Sequence, residues 1–197
     1  MQEIKREVLV SKASELLKNG TVDRVFGWKK GEFDYDITPA LFTTAEDIEK
    51  EFVWGDFCGA NFSKYLVKET GKSENKVLVF LKPCDTYSFN QLLNEHRFDR
   101  EKVYAVGVPC NGMLDTGKIK SSAEGIAKIT DNGDKVVIET LFDGEITLER
   151  NELLPDMTCT VSIFSKCAMF MRFTPLSKSN SSGFGALNAT VLFPIPA

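Results

Sequence analysis

Two uninterrupted apolar runs lie in the middle of this chain, KVLVFLK at 76–82 and KVYAVGV at 102–108. Runs of this length without alternating polar residues are typical of strands buried on both faces of a parallel sheet. The segment between them, TYSFNQLLNEHRF, has helical spacing, and Asp85 can cap its start. Strand, helix and strand within about thirty residues predict a βαβ unit with a right-handed crossover.

Weaker patterns predict the elements before this unit. Residues 3–18 place apolar side chains at near-helical spacing, and residues 21–28 are typical of a short strand that leads into a turn region. Thr44, with Asp47 three residues later, provides an N-cap for a short helix. Residues 60–71 predict a second helix that ends in glycine.

The pattern changes after residue 117, where apolar and polar residues alternate. Asn-Gly at 132–133 and Asp-Gly at 143–144 fit hairpin turns, so we predict two or three short antiparallel strands, followed by a helical turn at NELLPDM. The whole pattern predicts an α/β fold: a small, largely parallel sheet with flanking helices, plus an antiparallel β-hairpin region at 120–149.

Composition limits the classes of function. The chain has 197 residues, a net charge of −4 and a pI near 5.2, which argues against a nucleic-acid or anionic-membrane surface. No apolar stretch is long enough for a membrane span, and the charged amphipathic start does not match a secretory signal. We therefore expect the cytoplasm, where cysteines stay reduced. A single histidine, His96, excludes chemistry that needs paired imidazoles.

The last forty or so residues differ in character from the rest. All 28 acidic residues lie within 1–157, and residues 158–197 contain none. We therefore divide the chain into an α/β domain at 1–157 and an atypical tail at 158–197. The tail has three interpretations that the residues alone do not separate: a linker into a further domain, a surface-packing arm, or an altered reading frame.

Cysteines are the strongest candidates for chemistry. Cys84 and Cys110 each follow a proline just past the end of a predicted parallel strand, and ligands of open α/β sheets bind at that edge. Cys58 lies at the predicted start of a helix, where the helix dipole favours a thiolate. The competing interpretation is that each thiol only fills the core, because free cysteine is among the most often buried residues.

Metal type is not decided by spacing. Thiolate sites select zinc or iron–sulfur clusters, yet this chain has neither the close Cys-x-x-Cys pairs of zinc sites nor a ferredoxin-type run. Cys159 and Cys167 are both candidates for a fourth ligand, and neither has a recognised spacing. We expect Lys82 to be solvated, and Asp85 and Asp115 to cap helices or form turns. No glycine-rich nucleotide-binding motif follows a strand.

Three segments, WGDFCGANFSKYL, KPCDTYSFNQLLNEHRFDREKVYAVGVPCNGMLD and LLPDMTC, resemble the coenzyme F-420 hydrogenase/dehydrogenase beta-subunit family in that order. The nearest branch contains iron–sulfur electron-transfer subunits. The likeness is good over about 50–117, loose over 1–49, and rests on order alone over 150–159. Lys-Pro-Cys-Asp, Arg-x-x-Val-Tyr and Gly-Val-Pro-Cys-x-Gly-Met-x-Asp are its most specific parts.

This resemblance implies a 4Fe-4S electron-transfer subunit, in some relatives with FAD and a deazaflavin. It implies Cys58, Cys84, Cys110 and Cys159 as cluster ligands, with Cys167 as a substitute. The implied partners are the redox subunits of hydrogenase, formate dehydrogenase or heterodisulfide-reductase-like complexes, so the chain is an oxidoreductase subunit rather than a self-sufficient enzyme.

The likeness breaks where the composition also changes. Cys159 matches the first cysteine of a family Cys-x-x-Cys pair, but Ser162 occupies the second position. Truncation or an altered frame after about residue 159 is one explanation. Two alternatives to the redox subunit therefore stay open: an interaction domain held together by structural zinc, and a cofactor-free fragment with buried thiols.

Overall fold

The computed structural model describes residues 4–33, 35–110 and 112–155, and the backbone of 189–191. Its α-helices within these ranges are α1 (Arg6–Lys18), α2 (Ala45–Glu51), α3 (Ser63–Glu69), α4 (Asp85–Asn94) and α5 (Thr116–Ser122). Short 3-10 helices lie at Arg100–Lys102 and Arg150–Leu153. None of these helices has the length and apolar character that a transmembrane span requires.

The strands of the described residues form two sheets. They are β1 (Arg24–Lys30), β2 (Ile37–Phe42), β3 (Phe52–Val53), β4 (Val77–Leu81), β5 (Val103–Gly107), β6 (Ile126–Asp131), β7 (Lys135–Thr140), β8 (Glu145–Glu149) and β9 (Ala189–Val191). The larger sheet has the order β2-β1-β4-β5-β9, with β3 paired to β1, and the smaller is the antiparallel β6-β7-β8. Strands β1, β4, β5 and β9 run parallel, so their carboxyl ends share one edge.

Each sheet has its own apolar core. All five residues of β4 are buried, as the uninterrupted apolar run predicts for a central parallel strand. Aromatic rings fill the space beside β1, where Trp28 packs against Phe52, Phe62 and Phe80. The smaller sheet packs a separate cluster against α5, which includes the fully buried Val136 and Ile138.

The predicted α/β fold is confirmed, including the parallel β4-α4-β5 unit and the antiparallel strands after 117. Thr44 caps α2 as expected, accepting a hydrogen bond from the Asp47 backbone N–H at 3.1 Å. The expected turn region is followed by a strand that was not predicted, β2. It pairs antiparallel with β1 even though Pro39 lies within it. The sequence does not predict β2, because proline removes a donor and weakens a strand pattern. An edge strand tolerates that loss.

The predicted division near residue 158 stays a prediction. Residues 156–188 lie outside the described residues, as do Cys159, Ser162 and Cys167. Within the tail, the backbone of β9 pairs in parallel with β5, with Ala105 opposite Ala189.

Candidate functional site

Cys84 and Cys110 follow the carboxyl ends of two neighbouring parallel strands. Leu81 ends β4 opposite Gly107, which ends β5, and the Val108 N–H still donates to the Leu81 carbonyl at 2.9 Å. Cys84 comes directly before α4 and is half-buried, whereas Cys110 is 9% exposed. The sequence prediction that both thiols lie past strand ends at one sheet edge is therefore confirmed.

Cys58 occupies a loop rather than a helix start. Helix α3 begins only at Ser63, and the fully buried Cys58 thiol donates to the Val53 carbonyl at 3.7 Å. Burial raises the pKa of this thiol to about 12, although a backbone hydrogen bond with Gly55 and the charge of Lys82 act in the opposite direction. The expectation that a helix dipole favours a Cys58 thiolate is therefore wrong. In the folded, metal-free chain Cys58 is a protonated thiol at neutral pH.

The loop of Cys58 lies close to the loop of Cys110. The charges of Lys82 and Asp56 act on the Cys58 thiol. The Leu114 N–H, four residues after Cys110, donates to the Asp56 carbonyl at 2.8 Å, so three segments of the chain meet around Cys58. A cavity of about 280 Å³ opens beside Cys110, and it is lined also by Arg6, Trp54 and Met113. Cys110 is thus covered by protein on one side and accessible through this cavity.

Lys82 is buried, so the expectation of a solvated lysine is wrong. Its ammonium group lies 2.8 Å from an Asp85 carboxylate oxygen, donates to the Ala60 carbonyl at 2.9 Å, and sits 5.1 Å from the centre of the Trp28 ring. The same Asp85 oxygen accepts the Lys82 backbone N–H at 3.0 Å. Burial raises the pKa of Asp85, while the nearby Lys82 opposes that rise.

Of the two roles expected for Asp85, the structure shows the turn and not the helix cap, because the Asp85 N–H donates to the Lys82 carbonyl at 3.0 Å. It is the first residue of α4, and its carboxylate turns back toward Lys82 instead of capping the helix. Its other carboxylate oxygen lies 3.8 Å from the Cys84 sulfur, a weak hydrogen bond in which the thiol donates. By contrast, Asp115 accepts hydrogen bonds from the N–H groups of Gly117 and Lys118 and caps α5, as predicted.

Two further hydrogen bonds join the segment after Cys58 to α4. The Asn61 amide donates to the Ser88 hydroxyl at 2.5 Å, and the Ser63 hydroxyl donates to the Asp85 carbonyl at 3.3 Å. Together with the bond from Lys82 to Ala60, they fix this segment against the turn that carries Cys84. Three hydrogen bonds therefore link this segment to the turn and the first residues of α4.

The three thiols share a region without forming a closed ligand set. Within the described ranges, no three His, Cys, Asp or Glu side chains lie close enough together to hold a metal ion. The donors nevertheless fit a cluster in chemical type, because thiolates are the usual ligands of iron–sulfur clusters. Two of these cysteines follow the ends of adjacent strands. The predicted fourth ligand lies outside the described residues.

Arg150 is a residue of this region that the sequence does not predict. Its guanidinium group is 12% exposed and pairs with Asp131 and Asp56. Burial lowers the pKa of Arg150, but the hydrogen bonds and charges of the two carboxylates outweigh burial and raise it. An arginine after an alternating strand carries no signal in the sequence, because its partners are far away along the chain.

Known proteins match part of this chain. Over 99 residues it is 28% identical to the F420-dependent formate dehydrogenase subunit beta of Methanocaldococcus jannaschii, and 31% identical to the F420-dependent formate dehydrogenase 1 subunit beta of Methanococcus maripaludis. The comparisons support the coenzyme F-420 hydrogenase/dehydrogenase beta-subunit family. The predicted resemblance to this family is thereby confirmed. Each match covers 50% of this chain but only 26% and 25% of those relatives, so the matched stretch spans about a quarter of their length.

A solved structure shares the fold of this chain. A chain of the F420-reducing NiFe hydrogenase complex from Methanosarcina barkeri superposes with a TM-score of 0.57 and 18% identity, covering 76% of this chain and 56% of that one. At this identity the match concerns the fold alone. No family model matches the chain.

Proposed function

We propose that this chain is an iron–sulfur-binding redox subunit, or the N-terminal part of one. The observation that carries the proposal is the placement of Cys84 and Cys110 after adjacent parallel strands, with Cys58 in the loop beside Cys110. The relatives, described as beta subunits of F420-dependent formate dehydrogenases, support an oxidoreductase role.

The proposed ligands are Cys58, Cys84, Cys110 and Cys159, with Cys167 as the substitute where Ser162 replaces the expected cysteine. When bound, a 4Fe-4S cluster would supply one-electron transfer at a potential set by burial and by hydrogen bonds to sulfur. Loading requires the Cys58 thiol to lose its proton, so cluster assembly would release protons and favour higher pH. The charge of Lys82 lowers the pKa of the Cys58 thiol and so favours that loss.

Partners and location form part of the same proposal. One similar structure is a hydrogenase complex, and the curated relatives carry the description of subunits. We propose that this chain relays electrons between other redox subunits of a hydrogenase, formate dehydrogenase or heterodisulfide-reductase-like complex in the cytoplasm. FAD binding is proposed on the family resemblance alone.

Anaerobic purification and reconstitution with iron and sulfide test the proposal. We expect a brown protein with a broad charge-transfer band, and we expect Cys84→Ser to lose that band while its circular dichroism stays native. Tyr87→Ala is the matched control, because Tyr87 lies three residues after Cys84, in α4, and is 76% exposed. A colourless protein that holds one zinc, or a folded metal-free protein, would contradict the redox proposal.

Comparing Cys159→Ser with Cys167→Ser identifies the fourth ligand. If Cys159 ligates the cluster, only the first substitution bleaches the protein. The reverse result would assign the site to Cys167 and explain how the chain tolerates Ser162.

A further inference from the structure

Arg150 contacts three separate segments of the chain with one side chain. Its Nε donates to an Asp131 carboxylate oxygen at 2.5 Å. Its Nη2 donates both to an Asp56 carboxylate oxygen at 3.1 Å and to the Gly112 carbonyl at 3.0 Å. Asp131 ends β6 in the smaller sheet, whereas Asp56 and Gly112 belong to loops at the edge of the larger sheet.

These two loops carry two of the three described cysteines. Asp56 lies two residues before Cys58, and Gly112 lies two residues after Cys110. The planar guanidinium group holds its donors in a fixed fork, so it sets the separation of its acceptors as well as attracting them. A lysine ammonium group has no such fork, since it acts as a point charge on a flexible stem.

Backbone hydrogen bonds close the same junction. The Leu114 N–H donates to the Asp56 carbonyl at 2.8 Å, and the Asp115 N–H donates to the Leu153 carbonyl at 2.8 Å. Phe57 packs against the core of the smaller sheet. The loops of Cys58 and Cys110 are thereby connected to each other and to the smaller sheet, while Cys84 is held separately by the Lys82–Asp85 turn.

We propose that Arg150 is a positioning residue that fixes the Cys58 loop relative to the Cys110 loop. Through Arg150, the position of the smaller sheet sets the spacing of Cys58 and Cys110. The inference deepens the proposed function, and it rests on that function only where a cluster is concerned. Displacement of the smaller sheet would change the spacing of Cys58 and Cys110 and leave Cys84 in place.

The test measures how fast each thiol is alkylated in the metal-free full-length chain, by N-ethylmaleimide and mass spectrometry. For Arg150→Lys we expect the rates at Cys58 and Cys110 to rise about tenfold, since two charge-assisted hydrogen bonds to their loops are lost, while the rate at Cys84 stays within about twofold. Asp56→Asn should accelerate Cys58 more than Cys110. Arg100→Lys is the control, because the Arg100 guanidinium group also donates to a carbonyl, that of Val103, away from both loops.

A purely structural role gives a different result. General loss of stability opens the whole molecule and accelerates all three thiols together. Equal acceleration of Cys84, or no change at Cys58 and Cys110, would overturn the proposal. If Arg150→Lys does not fold, Asp56→Asn still decides the question.

A second readout concerns the reconstituted protein. We expect Arg150→Lys to retain a cluster but to change the electron paramagnetic resonance spectrum of its reduced state, whereas Arg100→Lys keeps the wild-type spectrum. If the wild-type protein binds no cluster, the redox proposal fails, and the alkylation rates still test Arg150 independently. An unchanged spectrum in Arg150→Lys would count against the positioning role.

Discussion

Lys82 and Asp85 form an ion pair that is almost completely removed from water, with each side chain 2% exposed. Taking two charges out of water costs several kcal/mol per ion, and their attraction compensates only when the remaining polar atoms are also satisfied. Here the Ala60 carbonyl and the Lys82 backbone N–H complete the network. The network fixes the turn that presents Cys84. The burial of the two charges, which opposes folding, thus serves to position this thiol.

Replacing Lys82 with methionine should destabilise the protein strongly. Lys82→Met leaves the Asp85 carboxylate buried without its cation, for which we expect a loss of about 3–5 kcal/mol in the free energy of unfolding, measured with urea. The loss of the cation also raises the pKa of Asp85 further, so the stability lost by the variant should be partly regained as the pH falls through that raised pKa.

The double variant Lys82→Met/Asp85→Asn is the control for this experiment. It removes the uncompensated charge and should regain part of the stability lost by Lys82→Met. A single variant within about 0.5 kcal/mol of the wild type would contradict the described ion pair.

The Cys58 thiol should make the metal-free protein less stable in alkali. Its pKa is raised from 9.0 to about 12 in the folded state, so the unfolded chain loses this proton first. Between these two values the folded state binds more protons, and stability falls as pH rises, by at most about 4 kcal/mol. Below pH 9.0 this contribution is fully present.

Urea denaturation of the wild type and of Cys58→Ala over this pH range tests the alkaline effect. We expect the slope of stability against pH to be shallower in Cys58→Ala, and to persist in Cys84→Ala. Parallel slopes for wild type and Cys58→Ala would show that Cys58 titrates at an ordinary pKa in the folded protein.

At the scale of elements, the loop after β5 depends on glycine. Gly112 has a φ of +98°, and a Cβ at this position would lie 3.1 Å from the Leu154 side chain. We expect Gly112→Ala to cost about 1–3 kcal/mol from backbone strain, and further free energy from the displaced Leu154 side chain.

Gly133 provides a matched control for this substitution. It has a similar φ of +92° in a hairpin turn, but no atom lies within 4 Å of a Cβ built there. Thermal denaturation should therefore place Gly133→Ala between the wild type and Gly112→Ala. Equal losses at both positions would mean that the Leu154 contact contributes nothing.

Elements whose own residues specify them could be predicted from the sequence. The buried strands β4 and β5 have uninterrupted apolar runs, and the hairpin glycines Gly133 and Gly144 adopt the positive φ that their turns require. Strand β2 was missed because its pairing with β1 decides its structure more than its own residues do. Helix α5 was also missed, since its short polar sequence, TGKIKSS, gives little periodicity.

At the scale of the whole molecule, the sequence could predict where the cysteines lie but not what surrounds them. The positions of Cys84 and Cys110 follow from strand order alone. The burial of Lys82 and the reach of Arg150 to Asp56 depend on packing between segments that are distant in sequence. The high pKa of Cys58 likewise results from burial, which a local helix prediction does not capture.

The central claim is that thiols from separate segments of this fold share one cluster. The most direct measurement is the iron and acid-labile sulfide content of the anaerobically reconstituted, gel-filtered chain. We predict about four iron atoms and about four sulfides for each chain, the content of one cubane cluster. A folded protein that retains neither iron nor sulfide, or that holds a single zinc ion in their place, would contradict the account.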